Sequence, residues 1–180
     1  MVTIPNLIST LRLFLIPPLV IAIIGNEVRL ALILLFISYI SDIIDGILAR
    51  NLNQESDFGK VIDPLSDKLT LISVLVTLTM VKRFPFWALV ILALREILII
   101  SAGFYLLSSG RRVIPASLPG KITGWIFGIM LIVYIIEFRP LLKLSIYAAI
   151  LSMVFSSFTY CQEFLDEVKK RSPARSPHRP

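Results

Sequence analysis

The stretch SDIIDGILARNLNQESDFGKVIDPLSDK, residues 41–68, lies between two long apolar runs. It places Asp42, Asp45, Asp63 and Asp67 at the edges of segments greasy enough to enter a membrane. Asp42 and Asp45 stand one helical turn apart and share a helix face, and Asp63 and Asp67 do the same. The short polar loop from Asn51 to Phe58 folds the two faces toward each other, so four carboxylates are expected to converge just inside a membrane boundary.

That arrangement is unfavourable without a counter-charge. Two like charges about 4 Å apart repel by on the order of 1 kcal/mol in water and roughly 4 kcal/mol at a near-surface dielectric. An Asp at the centre of a membrane helix adds about 2.5 to 3.5 kcal/mol, and less near its edge. Oxygen donors at this density suit hard divalent ions, Mg²⁺ or Mn²⁺. Two such ions held together suit phosphoryl transfer, where attacking and leaving oxygens are clamped at once. The neighbours fit a phosphate ester. Gly46 and Ala49 leave room for a ligand against the backbone, Gly59 opens the next run with equally little volume, and Arg50 is a bidentate phosphate donor at the membrane edge. Pro64 suits the first turn of a helix capped by Asp63, or else sits as a kink within a helix that begins earlier.

Working outward, the chain is 180 residues long and 56% hydrophobic, with a mean hydropathy of +0.84. Such a composition excludes an ordinary soluble domain, and several runs reach the ~20 apolar residues of a membrane span. Six spans are expected, about Pro5–Ile24 (kinked at Pro17-Pro18), Arg29–Arg50, Gly59–Val81, Pro85–Leu107, Gly120–Ile136 and Pro140–Phe164. Arg12 inside the first run, no basic start and no small-residue cleavage site argue for a retained span rather than a secretory signal. The fold class is therefore all-α and polytopic, with a six-helix transmembrane catalytic domain over residues 1–168. A basic, polar and Pro-rich cytoplasmic tail, expected to be disordered, follows over residues 169–180.

The net charge of +6 does not signal a nucleic-acid partner, because its cations sit at span ends rather than in one patch. Arg50, Lys60, Arg111, Arg112, Lys121 and the tail outnumber Arg29, Lys82, Arg83, Arg139 and Lys143 on the opposite side. The excess puts both termini and the acidic stretch on the cytoplasmic face. The single Cys161 excludes an internal disulfide, and a packed small residue is its expected role. An ion transporter is the competing class for intramembrane carboxylates, but it does not require Gly46, Ala49, Arg50 and Gly59 in register.

Position for position, residues 42–67 resemble the signature D-x2-D-G-x2-A-R-x8-G-x3-D-x3-D of the CDP-alcohol phosphatidyltransferases, through Asp42, Asp45, Gly46, Ala49, Arg50, Gly59, Asp63 and Asp67. The opening IPNLISTLR resembles the family's first-helix start, and NQESDFGKVIDPLSDK resembles its bacterial phosphatidylglycerophosphate synthases. The resemblance implies a six-helix membrane fold, a homodimer, and a polar cavity opening to the cytoplasm of a bacterial cytoplasmic membrane. It implies transfer of a phosphatidyl group from CDP-diacylglycerol to an alcohol, with release of CMP, in phospholipid biosynthesis. By motif position it puts divalent metal among Asp42, Asp45, Asp63 and Asp67, the general base at Asp67, and CDP against Gly46, Ala49, Arg50 and Gly59.

For the acceptor, Arg95-Glu96 in ALREILIISAGFYLLSSG resembles the Arg-Glu element of the phosphatidylglycerophosphate synthases, and Lys121 in SLPGKITG resembles their Gly-Lys element. Arg95 either binds an acceptor phosphate or pairs with Glu96 or a motif aspartate. Arg111 and Arg112 are positive-inside loop residues, or draw in an anionic acceptor. The chain departs from those synthases at Gly103-Phe104, where they carry a further Arg, and at Thr123, where they carry a second Lys. LIISAGFYLL with PASLPGKIT is similar to cardiolipin synthases of the same fold, which use phosphatidylglycerol. The NQ-x3-FG-x3-DP-x-SDK context makes glycerol 3-phosphate the expected acceptor.

Overall fold

A computed structural model describes residues 4–51, 59–109 and 118–169, except for the side chains of 4–9, 42–43, 45–51, 59–65, 67, 107 and 167. Among these residues every regular element is helical: α1 (Ile4–Ile24), α2 (Val28–Asn51), α3 (Gly59–Val81), α4 (Phe86–Ser108), α5 (Leu118–Ile135) and α6 (Arg139–Lys169). The boundaries fall within two residues of the sequence expectation, apart from the end of α6. That helix runs on through the polar segment EFLDEVK to Lys169, because nothing between Phe164 and Lys169 breaks a helix. α1 continues through Pro17 and Pro18, whose missing N–H groups leave the carbonyls of Leu13 and Phe14 without their usual helical donors. α3 begins at Gly59, so Pro64 lies within the helix rather than in its first turn.

Three tight turns reverse the chain. At the α1–α2 turn Asn26 adopts φ 57°, the Asn26 amide donates to the Ile23 carbonyl at 3.2 Å, and the Glu27 amide donates to the Ala22 carbonyl at 2.9 Å. This is a Schellman cap, with the left-handed residue just past the helix. The α5–α6 turn repeats it. Glu137 has φ 54°, its amide reaches Tyr134 at 3.2 Å, and the Phe138 amide reaches Val133 at 3.1 Å. Arg83 is the left-handed residue of the α3–α4 turn, at φ 56°.

Lys82 fastens the three turns together. Its ammonium donates to Asn26 Oδ1 and to Glu137 Oε1, and its side chain is only 6% exposed. The short turns therefore share one end of the bundle, and the ends of α2 and α4 and the starts of α3 and α5 share the other. Lys82 is thus a buried clasp rather than one of the loose surface cations of that side.

α1 packs closely along both α2 and α3, and α5 along α6, with α4 joined to α3 and α6. Leu19, Ala22 and Ile23 of α1, Val74, Leu75 and Leu78 of α3, and Phe127, Met130 and Tyr134 of α5 form one apolar core. Phe84 closes it against Tyr134, edge to face with ring centroids 4.8 Å apart. Large apolar side chains are also exposed around the outside, among them Phe14, Phe36, Met80, Leu98, Trp125, Leu151 and Phe155. An apolar exterior over an apolar interior is the pattern of helices facing lipid.

Among the described residues α4, α5 and α6 contain segments long and apolar enough to cross a membrane: Phe86–Leu106, Leu118–Ile135 and Arg139–Asp166. The described parts of α1, α2 and α3 carry shorter apolar segments, Thr10–Ile24, Val28–Ser41 and Lys68–Val81. Cys161 is exposed on α6, in line with exposed Phe158 and Leu165, rather than packed inside. A small thiol on a lipid-facing stripe needs no polar partner, which explains the departure from the expected packed position.

Candidate active site

The clasp at Lys82 serves as a reference for the level of each functional residue. At 1.5 Å per residue along a helix, Asp42 lies about 24 Å from the Asn26 turn and Asp67 about 22 Å from Lys82. Asp45 and Asp63 lie about one turn further, each roughly 28 Å out. The backbone thus sets the aspartates at two matched levels on α2 and α3, near the end of the bundle opposite the clasp. Gly46, Ala49 and Arg50 occupy the last turns of α2, and Gly59 the first residue of α3. α1 packs against both acid-bearing helices and holds them to itself, with α5 touching each.

The side chains of Asp42, Asp45, Asp63, Asp67, Ala49 and Arg50 lie outside the described residues, as do Arg111 and Arg112 entirely. Among the described side chains, no group of His, Cys, Asp and Glu gathers as metal ligands. The donor set that the backbone collects at this end is carboxylate oxygen, which fits a hard divalent cation and not a soft one.

Next to that layer is a charged cluster inside the bundle. Glu96 of α4 is 1% exposed and pairs with two cations: Arg95 Nη1 donates to its Oε1, and Lys68 Nζ of α3 forms an ion pair at its Oε2. Arg95 Nη2 also donates to Ser156 Oγ of α6 at 3.2 Å. One carboxylate therefore ties α3 to α4, and its neighbour Arg95 continues the tie to α6. Of the alternatives open for Arg95, the pairing with Glu96 is present. Lys68 follows Asp67 directly, so the cluster anchors the stretch of α3 that carries the last aspartate.

Ser66, buried one residue before Asp67, has its carbonyl accepting from Thr70 Oγ1 at 2.9 Å. Such i−4 back-bonding satisfies a hydroxyl within an apolar helix. Lys121 is exposed near the start of α5, at the same end as the aspartates. Thr123 is 1% exposed, and its Oγ1 donates to the Pro119 carbonyl at 2.9 Å and the Ser152 carbonyl of α6 at 3.1 Å. Thr123 is therefore a packing contact between α5 and α6. Gly103 has open space where a Cβ would stand, so its lack of a side chain is not forced by packing.

Lys68 and Ser156 did not stand out in the sequence as functional residues. Their only signal was a Lys adjoining a motif Asp and a Ser within an apolar run, and their partners on α4, Glu96 for Lys68 and Arg95 for Ser156, lie far away in the chain.

Residues 2–158 match the family model described as CDP-alcohol phosphatidyltransferase. The chain is similar to the CDP-diacylglycerol–glycerol-3-phosphate 3-phosphatidyltransferase of Bacillus subtilis, 29% identical over 191 aligned positions covering 94% of this chain and 98% of that protein. It is 36% identical over 104 residues to the cardiolipin synthase (CMP-forming) of Homo sapiens, covering 57% of this chain and 35% of that one. A protein of Drosophila melanogaster described as a probable cardiolipin synthase (CMP-forming) is 34% identical over 103 residues, or 57% of this chain and 32% of the relative. The chain thus spans about a third of the length of the two animal relatives and nearly all of the bacterial one. With residues 2–158 in its family model and a bundle that brings the signature aspartates to one end, the chain belongs to the CDP-alcohol phosphatidyltransferase family and is a transferase of phospholipid synthesis.

Proposed function

We propose that this protein transfers a phosphatidyl group from CDP-diacylglycerol to glycerol 3-phosphate, releasing CMP, from within a bacterial cytoplasmic membrane. The observation carrying the acceptor is the similarity to the Bacillus subtilis relative over 94% of this chain and 98% of that protein. The relatives described as cardiolipin synthases match less of it, 57 to 66% of this chain. All six helices span the membrane in this reading, with the aspartate end toward the cytoplasm and the Lys82 clasp on the far side. Two copies form a homodimer.

The family generally uses divalent metal ions, and the carboxylates of Asp42, Asp45, Asp63 and Asp67 would hold them, Mg²⁺ or Mn²⁺, as a pair. When bound, such ions neutralise charge on the diphosphate and on departing CMP. Gly46, Ala49 and Gly59 leave space for the nucleotide and Arg50 meets its phosphates. Asp67 takes the proton from the acceptor hydroxyl. The acceptor oxygen then forms a bond to the phosphorus that bears diacylglycerol, and the bond from that phosphorus to the CMP oxygen breaks. Lys121 stands toward the acceptor phosphate, with Arg111 and Arg112 as further candidate cations for it. Arg95, paired with Glu96, lines the same region. A site at the membrane boundary suits a donor that is half lipid and half nucleotide.

A cardiolipin synthase using phosphatidylglycerol is the second reading, favoured by Gly103 and Thr123, where the synthases of phosphatidylglycerophosphate carry cations. The deciding experiment is CMP release by the purified protein from labelled CDP-diacylglycerol, with glycerol 3-phosphate, phosphatidylglycerol, inositol phosphate or serine. Release driven by glycerol 3-phosphate is expected. Release driven only by phosphatidylglycerol overturns the acceptor assignment, and metal flux through liposomes without CMP release overturns the transferase.

A further inference from the structure

Among the described residues Arg12 is the largest side chain that the fold buries completely, at 1% exposure in the middle of α1. A guanidinium stays charged at every physiological pH and is costly inside an apolar helix bundle unless carboxylates meet it. Arg12 is not a free charge in this structure. Its level along α1 is about 21 Å from the Asn26 turn, within roughly 3 Å of the level of Asp42 on α2 and of Asp67 on α3. α1 packs along both of those helices. The alternatives are few. α1 and α5 contain no acidic residue, Glu27 stands at the clasp end, Glu96 is engaged by Lys68 and Arg95, and Glu163, Asp166 and Glu167 belong to α6, which does not pack along α1. Within α2 and α3 the acidic residues are Asp42, Asp45, Asp63 and Asp67 alone.

We propose that Arg12 is a resident counter-cation of the aspartate site, standing on α1 at the level of Asp42 and Asp67 and sharing their carboxylates with the divalent ions. The metal part rests on the function proposed above; the charge balance does not. Arg12 holds the carboxylates together before metal arrives, and its fixed charge sets how tightly the metal is then held. It is a positioning residue, acting through the aspartates.

The test uses full-length protein in detergent, with Mn²⁺ binding followed by electron paramagnetic resonance and unfolding followed in chelator. Arg12→Gln is expected to bind Mn²⁺ more tightly by about tenfold, since a unit charge roughly 10 Å from the ion has been removed. The same variant is expected to melt about 5 °C or more below wild type when metal-free. Arg12→Lys, which keeps the charge, should return most of both effects. Adding Asp42→Asn to Arg12→Gln should raise the metal-free melting temperature, because one unbalanced carboxylate is gone. That double variant also decides the matter if Arg12→Gln alone does not fold. Wild-type Mn²⁺ affinity and melting in Arg12→Gln, or a double variant no more stable than the single one, overturns the proposal. A wild-type protein that binds no Mn²⁺ sinks the metal assignment instead, and leaves the melting comparison to judge Arg12.

Discussion

Replacing Glu96 by Gln keeps the volume and removes the charge, and it strikes the one described carboxylate that holds two cations at once. Breaking a buried ion pair by removing one partner destabilises by about 3 to 5 kcal/mol, because the other charge is left buried and uncompensated. Here Glu96 is fully buried, but the side chains of Lys68 and Arg95 are 27% and 13% exposed. Both can move part of the way toward head groups or water, so the loss falls at or just below the lower end of that range, about 2 to 3 kcal/mol. For a chain of this size a loss of that order lowers the melting temperature by roughly 4 to 12 °C. Trp87 and Trp125 supply intrinsic fluorescence for the measurement in detergent, with Trp125 packed edge to face on Tyr39 at 5.1 Å. A second substitution, Lys68→Met, should recover part of the loss, since it removes one of the stranded cations. Melting of Glu96→Gln within about 1 °C of wild type would refute the reasoning.

Asp67→Asn is expected to abolish CMP release while leaving the melting temperature and CDP-lipid binding near wild type; normal turnover would remove Asp67 as the base. Exhaustive chelation should stop the reaction, and Mg²⁺ or Mn²⁺ should restore it, with full activity in chelator as the contrary result. Lys121→Ala should raise the apparent KM for glycerol 3-phosphate with little change in melting, since Lys121 is exposed; an unchanged KM would take it out of the acceptor site. At the clasp, the hydrogen bond and charge of Lys82 hold the Glu137 carboxyl below the usual 4.5, with a smaller pull from Arg139. A lowered folded-state value means that the contribution to stability is complete above the unfolded value and fades as pH falls through the folded one. The melting difference between wild type and Glu137→Gln should therefore hold constant from neutral pH down to about 4.5 and narrow below it. A difference that narrows already between pH 7 and 5 would contradict the clasp.

The helices were legible because length and hydropathy decide them. Runs of apolar residues punctuated by Gly25-Asn26, by Pro85 and by Arg139-Pro140 leave little freedom in where a helix stops. The end of α6 lies beyond the sequence expectation because polarity alone does not end a helix: the run from Glu163 to Lys169 is rich in good helix formers and continues it. Pro64 could not be placed from sequence, since a proline suits the first turn and tolerates a later one when neighbouring helices support it. The acidic constellation was legible as a pattern because fixed spacing on two helices survives any tilt between them.

Three-dimensional partnerships were not legible. Lys82 read as a surface cation, yet two left-handed cap residues from distant turns, Asn26 and Glu137, present oxygens to it. Arg95 had three possible partners in the sequence, and only the packing of α3, α4 and α6 selects Glu96 and Ser156. In the sequence Arg12 argues only for a retained first span; its burial, and the packing of α1 along both acid-bearing helices, emerge only in the fold.

The decisive measurement is the anomalous scattering of Mn²⁺ in crystals of the protein grown with a CDP-alcohol. Density for the metal is expected between the last turns of α2 and the first turns of α3, within coordination distance of oxygens from both helices. Metal bound elsewhere, or aspartates of α2 and α3 turned into separate surroundings with no cation between them, would contradict it.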